Sequence, residues 1–281
     1  MSTISELQDT VTQIRRDIVR MVHANNSGHP GGSLGCAEFL TVLYFKIMKD
    51  NPSFTMDGIN EDIFFLSNGH ISPVFYSVLA RKGYFEISEL ADFRKINSRL
   101  QGHPTPHEGL EGVRIASGSL GQGLSNAIGA ALSKKLNKEN NIVYSLHGDG
   151  ELQEGQIWEA FMYASAKKVD NLIATIDYNK KQIDGPIEEV LSIGNLTAKL
   201  EAFDWTVLEE FQGNNIEAII KTLKRAIDLT GQNKPVAIIL HTEMGNGVDY
   251  MMGTHKWHGS APNDKQLEQA LSQNPETLGD Y

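Results

Sequence analysis

The sequence predicts an α/β fold, a doubly wound parallel sheet with helices on both faces. Three observations carry this expectation. Strand-length apolar runs at residues 62–66, 142–146, 172–177 and 235–241 alternate with segments whose apolar residues recur at helical spacing. The runs Ile142-Val-Tyr-Ser-Leu146 and Val236-Ala-Ile-Ile-Leu240 lack a polar alternation, the pattern of strands covered on both faces. Polar and glycine-containing stretches follow the runs: Ser67-Asn-Gly-His70, Gly148-Asp149-Gly150 and Asn179. Open α/β sheets bind ligands at such carboxyl ends.

In chain order, residues 1–25 hold an amphipathic helix with Ile4, Leu7, Val11, Ile14, Ile18 and Met21 on one side, opened by a Thr3/Glu6 capping box. A glycine-rich loop, Asn25 to Ser33, leads into a second apolar helix running to about Met48. After the strand at 62–66, Ser72 and Pro73 start a helix that Gly83 ends. A short helix follows and leads to Gln101-Gly-His-Pro104, and Gly118-Ser-Leu-Gly121-Gln-Gly123 introduces an Ala- and Gly-rich helix from about Leu124 to Leu136. Between the strands at 142 and 172 lies a helix with Ile157, Phe161, Ala164 and Ala166 on one side. A loop carrying Glu188 and Glu189, a helix near 196–203 and a strand at 205–211 come next. Asn214 is expected to cap a helix through Ile216, Ile219, Ile220, Leu223 and Ile227. Asn263 with Gln266 caps a terminal helix, and the last residues, within 263–281, are expected to fray. One domain over 1–281 accounts for the chain, without repeats or low-complexity tracts.

Composition narrows the function. A hydrophobic content of 40% in 281 residues supports a well-buried core. The formal net charge of -10, with no basic block, argues against nucleic acid or an anionic membrane surface as partner. Cys36 is the only cysteine, so no disulfide framework exists within the chain. The absence of a signal-like or spanning apolar run adds to the expectation of a cytoplasmic protein.

The stretch from His147 to Gly185 organises the chemistry. It reads strand, Gly148-Asp149-Gly150, helix, strand, Asn179. In a right-handed βαβ crossover both strands run the same way, so Asp149 and Asn179 emerge at one edge of the sheet. A carboxylate and an amide oxygen there suit a hard cation such as Mg²⁺, with Ca²⁺ or Mn²⁺ as alternatives. Two side-chain oxygens leave much of an octahedral shell open for diphosphate oxygens and water. The flanking glycines let backbone approach a phosphate, and the following helix offers free N–H groups. A dinucleotide fingerprint fails, because Asn126 stands where the third glycine after Gly121-x-Gly123 belongs, and there is no P-loop lysine. His255 and His258 form an H-x-x-H pair, yet no cysteine or flanking ligand cluster supports zinc.

Residues 148–160 (GDGELQEGQIWEA), 177–185 (DYNKKQIDG), 27–32 (SGHPGG) and 117–123 (SGSLGQG) together resemble the transketolase family of thiamine diphosphate enzymes, over nearly the whole chain. The resemblance implies thiamine diphosphate as cofactor, with metal ligands Asp149, Asn179 and the main-chain carbonyl of Lys181. It places Gly148, Gly150, Glu151, His70, Gly118, Leu120 and Gly121 against the cofactor, Leu120 near the aminopyrimidine. It assigns His29 and His103 to the substrate side and His255 to diphosphate and substrate, His258 only weakly, and leaves His107 at the surface. Glu154 resembles a residue that links paired cofactor sites across a dimer interface. The implied reaction moves a two-carbon ketol unit from a ketose phosphate to an aldose phosphate.

Departures from the family pattern refine this. Full-length transketolases are about twice as long and carry, in a second domain, a glutamate that protonates the pyrimidine and arginines that grip the sugar phosphate. The chain therefore looks like the amino-terminal subunit of a split enzyme, needing a carboxyl-terminal transketolase subunit with the pyrimidine-binding domain, most simply as α₂β₂. His147 stands where an apolar or small residue is usual, and Met244-Gly-Asn-Gly-Val248 replaces a Lys-Gly-x-Gly pattern. Two other readings stay open: a ketol transferase using an unusual sugar or formaldehyde as acceptor, and a non-catalytic cofactor-binding subunit.

Overall fold

The computed structural model describes residues 2–281. Helix α1 spans Ile4–Ala24, with both bonds of the Thr3/Glu6 capping box formed. Its apolar stripe is buried: Leu7, Ile14 and Ile18 are wholly enclosed. The second apolar segment is not one helix. It breaks at Cys36 into α2 (Pro30–Gly35) and α3 (Ala37–Val42), then closes in a π-helical turn, Leu43–Ile47. The break falls where backbone presses on the helix, since a Cβ on Gly35 would lie 3.1 Å from the Glu243 carbonyl oxygen.

Strand β1 is Ile63–Leu66 and helix α4 is Ser72–Lys82, ended by Gly83 at φ 93°. Ser72 does not cap α4; it lies inside the first turn and its hydroxyl donates to the Gly102 carbonyl oxygen instead. The short helix expected beyond Gly83 is a 3₁₀ segment, Ile87–Asp92. Helix α5 (Gly123–Leu136) precedes β2 (Val143–Gly148), and α6 (Gly155–Ala166) links β2 to β3 (Leu172–Asp177). A small hairpin not legible in the sequence follows, β4 (Lys181–Gln182) against β5 (Gly185–Pro186). Helices α7 (Ile187–Leu191) and α8 (Leu196–Ala202), strand β6 (Thr206–Glu210), α9 (Ile216–Asp228), β7 (Val236–Leu240) and α10 (Asp264–Gln273) complete the chain.

The main sheet has the order β1-β2-β3-β7-β6, every pair parallel. Alternate strand residues feed two separate cores. Tyr144, Leu146, Ile173, Ile238 and Leu240 pack with α1, α3, α4 and α9 on one face. Val143, Leu172, Ala174, Ile176 and Ile239 pack with α5, α6 and α8 on the other. Helices α8 and α9 lie on opposite faces because strand order reverses after β6, as right-handed crossovers require. The doubly wound expectation is met.

Two capping expectations are corrected by long-range contacts. Asn215, not Asn214, caps α9. Asn214 instead donates to the Gly35 carbonyl oxygen and accepts the Glu243 N–H, joining three segments. Nor are the last residues frayed. The Gln13 side chain accepts the N–H groups of Thr277 and Leu278, Arg16 chelates Asp280 at 2.6 and 2.8 Å, and Arg20 lies 4.2 Å from the Tyr281 ring centre. These fix the segment along α1. No helix among the described residues is long and apolar enough to cross a membrane.

Candidate cofactor and active site

The carboxyl ends of β1, β2, β3 and β7 converge on one cavity of about 400 Å³. Beyond β2, Asp149 opens a 3₁₀ turn, its carboxylate accepting the Gly150 N–H at 2.7 Å and the Lys180 N–H. Two residues beyond β3, the Asn179 amide nitrogen donates to Asp177 at 2.9 Å, while its oxygen accepts the Lys181 N–H at 2.9 Å. Asp177 also accepts the Thr242 hydroxyl, so the end of β7 helps fix it. The Asn179 amide is thereby oriented, nitrogen toward Asp177. Asp149 and Asn179 both line the cavity, as does Lys181.

Electrostatics make this rim a receptive place for a cation. Asp149 and Asp177 are each 2% exposed. Burial first, and then the charge of Asp177, push the Asp149 carboxyl up to about 8. Burial raises Asp177 as well. Two enclosed carboxyls this close together are poorly stable as anions unless a positive ion joins them. No group of three or more His, Cys, Asp or Glu side chains among the described residues is placed to hold a metal. A cation here would rest on Asp149, the Asn179 amide oxygen, backbone, and oxygens brought by a ligand, which suits a hard ion rather than zinc.

Four imidazoles form the opposite wall. His29 lies 5.1 Å from His70, 6.3 Å from His103 and 5.6 Å from His258 between ring centres, and His70 lies 5.0 Å from His258. Burial and the neighbouring rings, with Arg94 close by, lower His29 to about 4. Burial first also lowers His70, His103 and His258. The rings are therefore neutral at pH 7, each able to accept a proton at one nitrogen and donate at the other. His29 Nδ1, His258 Nδ1 and Asn68 Oδ1 are buried without a partner in the chain. All three residues line the cavity. Such atoms normally find partners, so the cavity is shaped for a polar ligand.

A depressed histidine has a definite stability signature. The unfolded His29 binds a proton near 6.5 while the folded one resists to about 4, so its contribution is present above 6.5 and lost as pH falls between those values. The His29→Asn variant should lose part of the acid-side decline of the melting temperature in that window. A melting profile that superimposes on the wild type from pH 7 to 4 would contradict the assignment.

Most of the expected site residues meet here. His29, His70, His103, Gly118, Leu120, Gly148, Asp149, Gly150, Glu151, Glu154, Asn179 and Lys181 line the cavity, His103 and Glu154 at its exposed mouth. Two do not. Gly121 is buried behind the wall at φ 85°, where a Cβ would meet the Gln156 amide at 2.8 Å. His255 is not part of the lining, and His258 takes the place expected for it. The reason is local: the His258 N–H returns to the His255 carbonyl oxygen, and the Trp257 carbonyl oxygen accepts the Gly31 N–H at 3.0 Å. That pairing turns the second histidine of the pair inward. Asn68, Gln153, Asp177, Gln182, Ile183 and Met244 are further wall residues that sequence reasoning missed. Asn68 had a usable signal in its position at the end of β1, and Asp177 in its place at the end of β3.

A parallel sheet presenting an aspartate and an oriented asparagine amide, across a closed space from neutral imidazoles, defines a class: α/β domains that hold a diphosphate-bearing cofactor at the sheet's carboxyl edge. Residues 7–277 match the family described as transketolase, thiamine diphosphate binding domain, and the chain belongs to that family. It is 40% identical over 267 residues to an apulose-4-phosphate transketolase subunit of Phocaeicola vulgatus, covering 94% of this chain and 92% of the relative. It is 36% identical to the 6-deoxy-6-sulfo-D-fructose transketolase subunit SqwG of a Clostridium species, covering 95% and 96%. Against human transketolase it is 35% identical, with 96% of this chain and 42% of the relative covered. The solved transketolase of Campylobacter jejuni superposes with a TM-score of 0.90 at 34% identity, over 97% of this chain and 43% of that one. The chain thus spans less than half of the human and Campylobacter proteins.

Proposed function

We propose that this chain, folding as one domain, is the amino-terminal subunit of a two-subunit transketolase that works with a metal–thiamine diphosphate. The observation that carries the reading is the delivery of Asp149 and Asn179 to one cavity beside four neutral histidines. Asp149, the Asn179 amide oxygen and the Lys181 carbonyl would hold Mg²⁺, or Ca²⁺ or Mn²⁺ in its place. Gly148, Gly150 and His70 would border the diphosphate, and Gly118 with Leu120 the ring system. Thiamine diphosphate, when bound, supplies a carbanion equivalent and an electron sink for carbon–carbon cleavage.

The rest falls to the protein. His29, His103 and His258 surround the space where ketose hydroxyls would sit, and neutral imidazoles can hydrogen-bond a hydroxyl and take or return its proton. The buried, unpartnered Nδ1 atoms of His29 and His258 favour this over a non-catalytic role. Glu154, exposed at the cavity mouth, would be the residue that links paired cofactor sites across a dimer interface. The ketol unit would pass from a ketose to an aldose, both phosphorylated or otherwise anionic. A ketol transferase with an unusual acceptor is the second reading; the sugars in the names of two relatives, apulose-4-phosphate and 6-deoxy-6-sulfo-D-fructose, are ketoses and so bear on the donor rather than the acceptor. The single buried cysteine suits a cytoplasmic setting.

The lone chain should gain thermal stability with Mg²⁺ and thiamine diphosphate, yet transfer no ketol unit. Transfer should appear on adding a companion chain with a pyrimidine-binding domain, and sedimentation should then show an α₂β₂ assembly. Turnover by the purified chain alone would overturn the two-subunit reading.

A further inference from the structure

The resemblance places Glu151 against the cofactor, yet both oxygens of its buried carboxylate are already engaged. One accepts the Ser67 hydroxyl and the Gly121 N–H at 2.7 Å; the other accepts the Gly148 N–H at 3.0 Å. Ser67 in turn accepts the Gly123 N–H at 3.0 Å. His147, the residue that departs from the family pattern, stands behind this carboxylate. Its Nδ1 lies 3.7 Å from Glu151 and its Nε2 bonds the Ser145 hydroxyl at 2.8 Å. His147 and Glu151 are buried, and the carboxylate finds no solvent.

The glycine loop itself is pressed down. A Cβ on Gly123 would come 2.3 Å from the Ser67 Cβ, and one on Gly69 would come 2.3 Å from the Ser117 carbonyl oxygen. Gln156 adds an outer tie, donating to the Leu120 carbonyl oxygen at 3.2 Å. Without the carboxylate, the Gly121 and Gly148 N–H groups would be left without acceptors in a dry place.

We infer that Glu151 is a positioning residue: backed by His147 and joined to Ser67, it latches loop 118–123, which carries Leu120, to the strand end that carries Asp149. The wall on the ring side of the cavity and the diphosphate rim are thereby set as one unit. The cofactor half of this inference rests on the function proposed above; the latch itself does not.

Glu151→Gln tests it, because an amide has one acceptor oxygen and must leave either Gly121 or Gly148 facing a donor. Hydrogen–deuterium exchange of the ligand-free chain should speed up about tenfold or more in peptides covering 118–124 or 147–150, with β3 and β7 unchanged. Ser67→Ala should open the Gly123 end of the same loop. Titration with Mg²⁺ and thiamine diphosphate, followed by calorimetry, should show weaker binding in Glu151→Gln by about tenfold or more, within the range for outer-shell changes. Unchanged exchange in both variants overturns the latch, and so does a loss of protection that spreads equally through β3 and β7 in both. Local opening without weaker binding overturns the positioning role. Failure of the wild-type chain to bind thiamine diphosphate would sink the proposed function while leaving the exchange result standing.

Discussion

Replacing Asp149 with alanine should abolish the thermal shift that Mg²⁺ and thiamine diphosphate give the wild-type chain, with affinity down at least about a hundredfold. Removing one member of a buried charge pair costs about 3–5 kcal/mol, and each 1.4 kcal/mol is about a factor of ten. The ligand-free variant should nonetheless melt within a few degrees of wild type. It loses the bonds to Gly150 and Lys180, but it also loses a buried acid set against Asp177. A shift of wild-type size in the variant would refute the metal assignment.

The same carboxyl sets a pH dependence of uncommon sign. With a folded value of about 8 against an ordinary 3.8, the ligand-free protein carries an extra proton between those limits. Its stability therefore declines as pH rises through that window, the reverse of a salt-bridged aspartate. A cation must displace the proton, so cofactor affinity should climb with pH toward 8, and calorimetry at pH 6.5 should register proton release. Calorimetric enthalpies that do not vary with the buffer's ionisation enthalpy would count against this.

The second large effect concerns the histidine pair near the chain's end. In the reconstituted two-subunit enzyme, His258→Ala should lower kcat/KM by about two orders of magnitude or more, in line with general acid–base contributions. His255→Ala should stay within a few-fold of wild type, because its ring is not part of the cavity wall. Cofactor titration of the two variants separates a binding loss from a proton-transfer loss. The opposite ranking would mean that the companion chain rearranges residues 253–259.

Local chemistry made much of this legible. The capping boxes at Thr3/Glu6 and Asn263/Gln266 form as their spacing implies. The pairing of Asp149 with Asn179 follows from two parallel strands joined by one helix. What escaped the sequence depends on distant contacts. Asn214 and Asn215 have the same side chain, and only the Gly35 and Glu243 backbone decides which of them caps α9. The hairpin at 181–186 has two-residue strands, too short for any alternation to register. The final residues look like a polar tail until Arg16, Arg20 and Gln13 are seen beside them. His147 is visible as an oddity in the sequence, but its neighbours Ser145 and Glu151 become meaningful only once β2 and the turn after it are in place.

One stitch between distant segments sets the positions of two of the site's imidazoles. Gly31 gives its N–H to Trp257 and its carbonyl oxygen to the Gly245 N–H, and a Cβ there would strike Met244 at 2.7 Å. Because Gly31 sits two residues from His29 and Trp257 is next to His258, this contact ties together the two backbone segments that carry the imidazoles. A bulky residue at Gly31 would therefore misalign the pair without touching either ring.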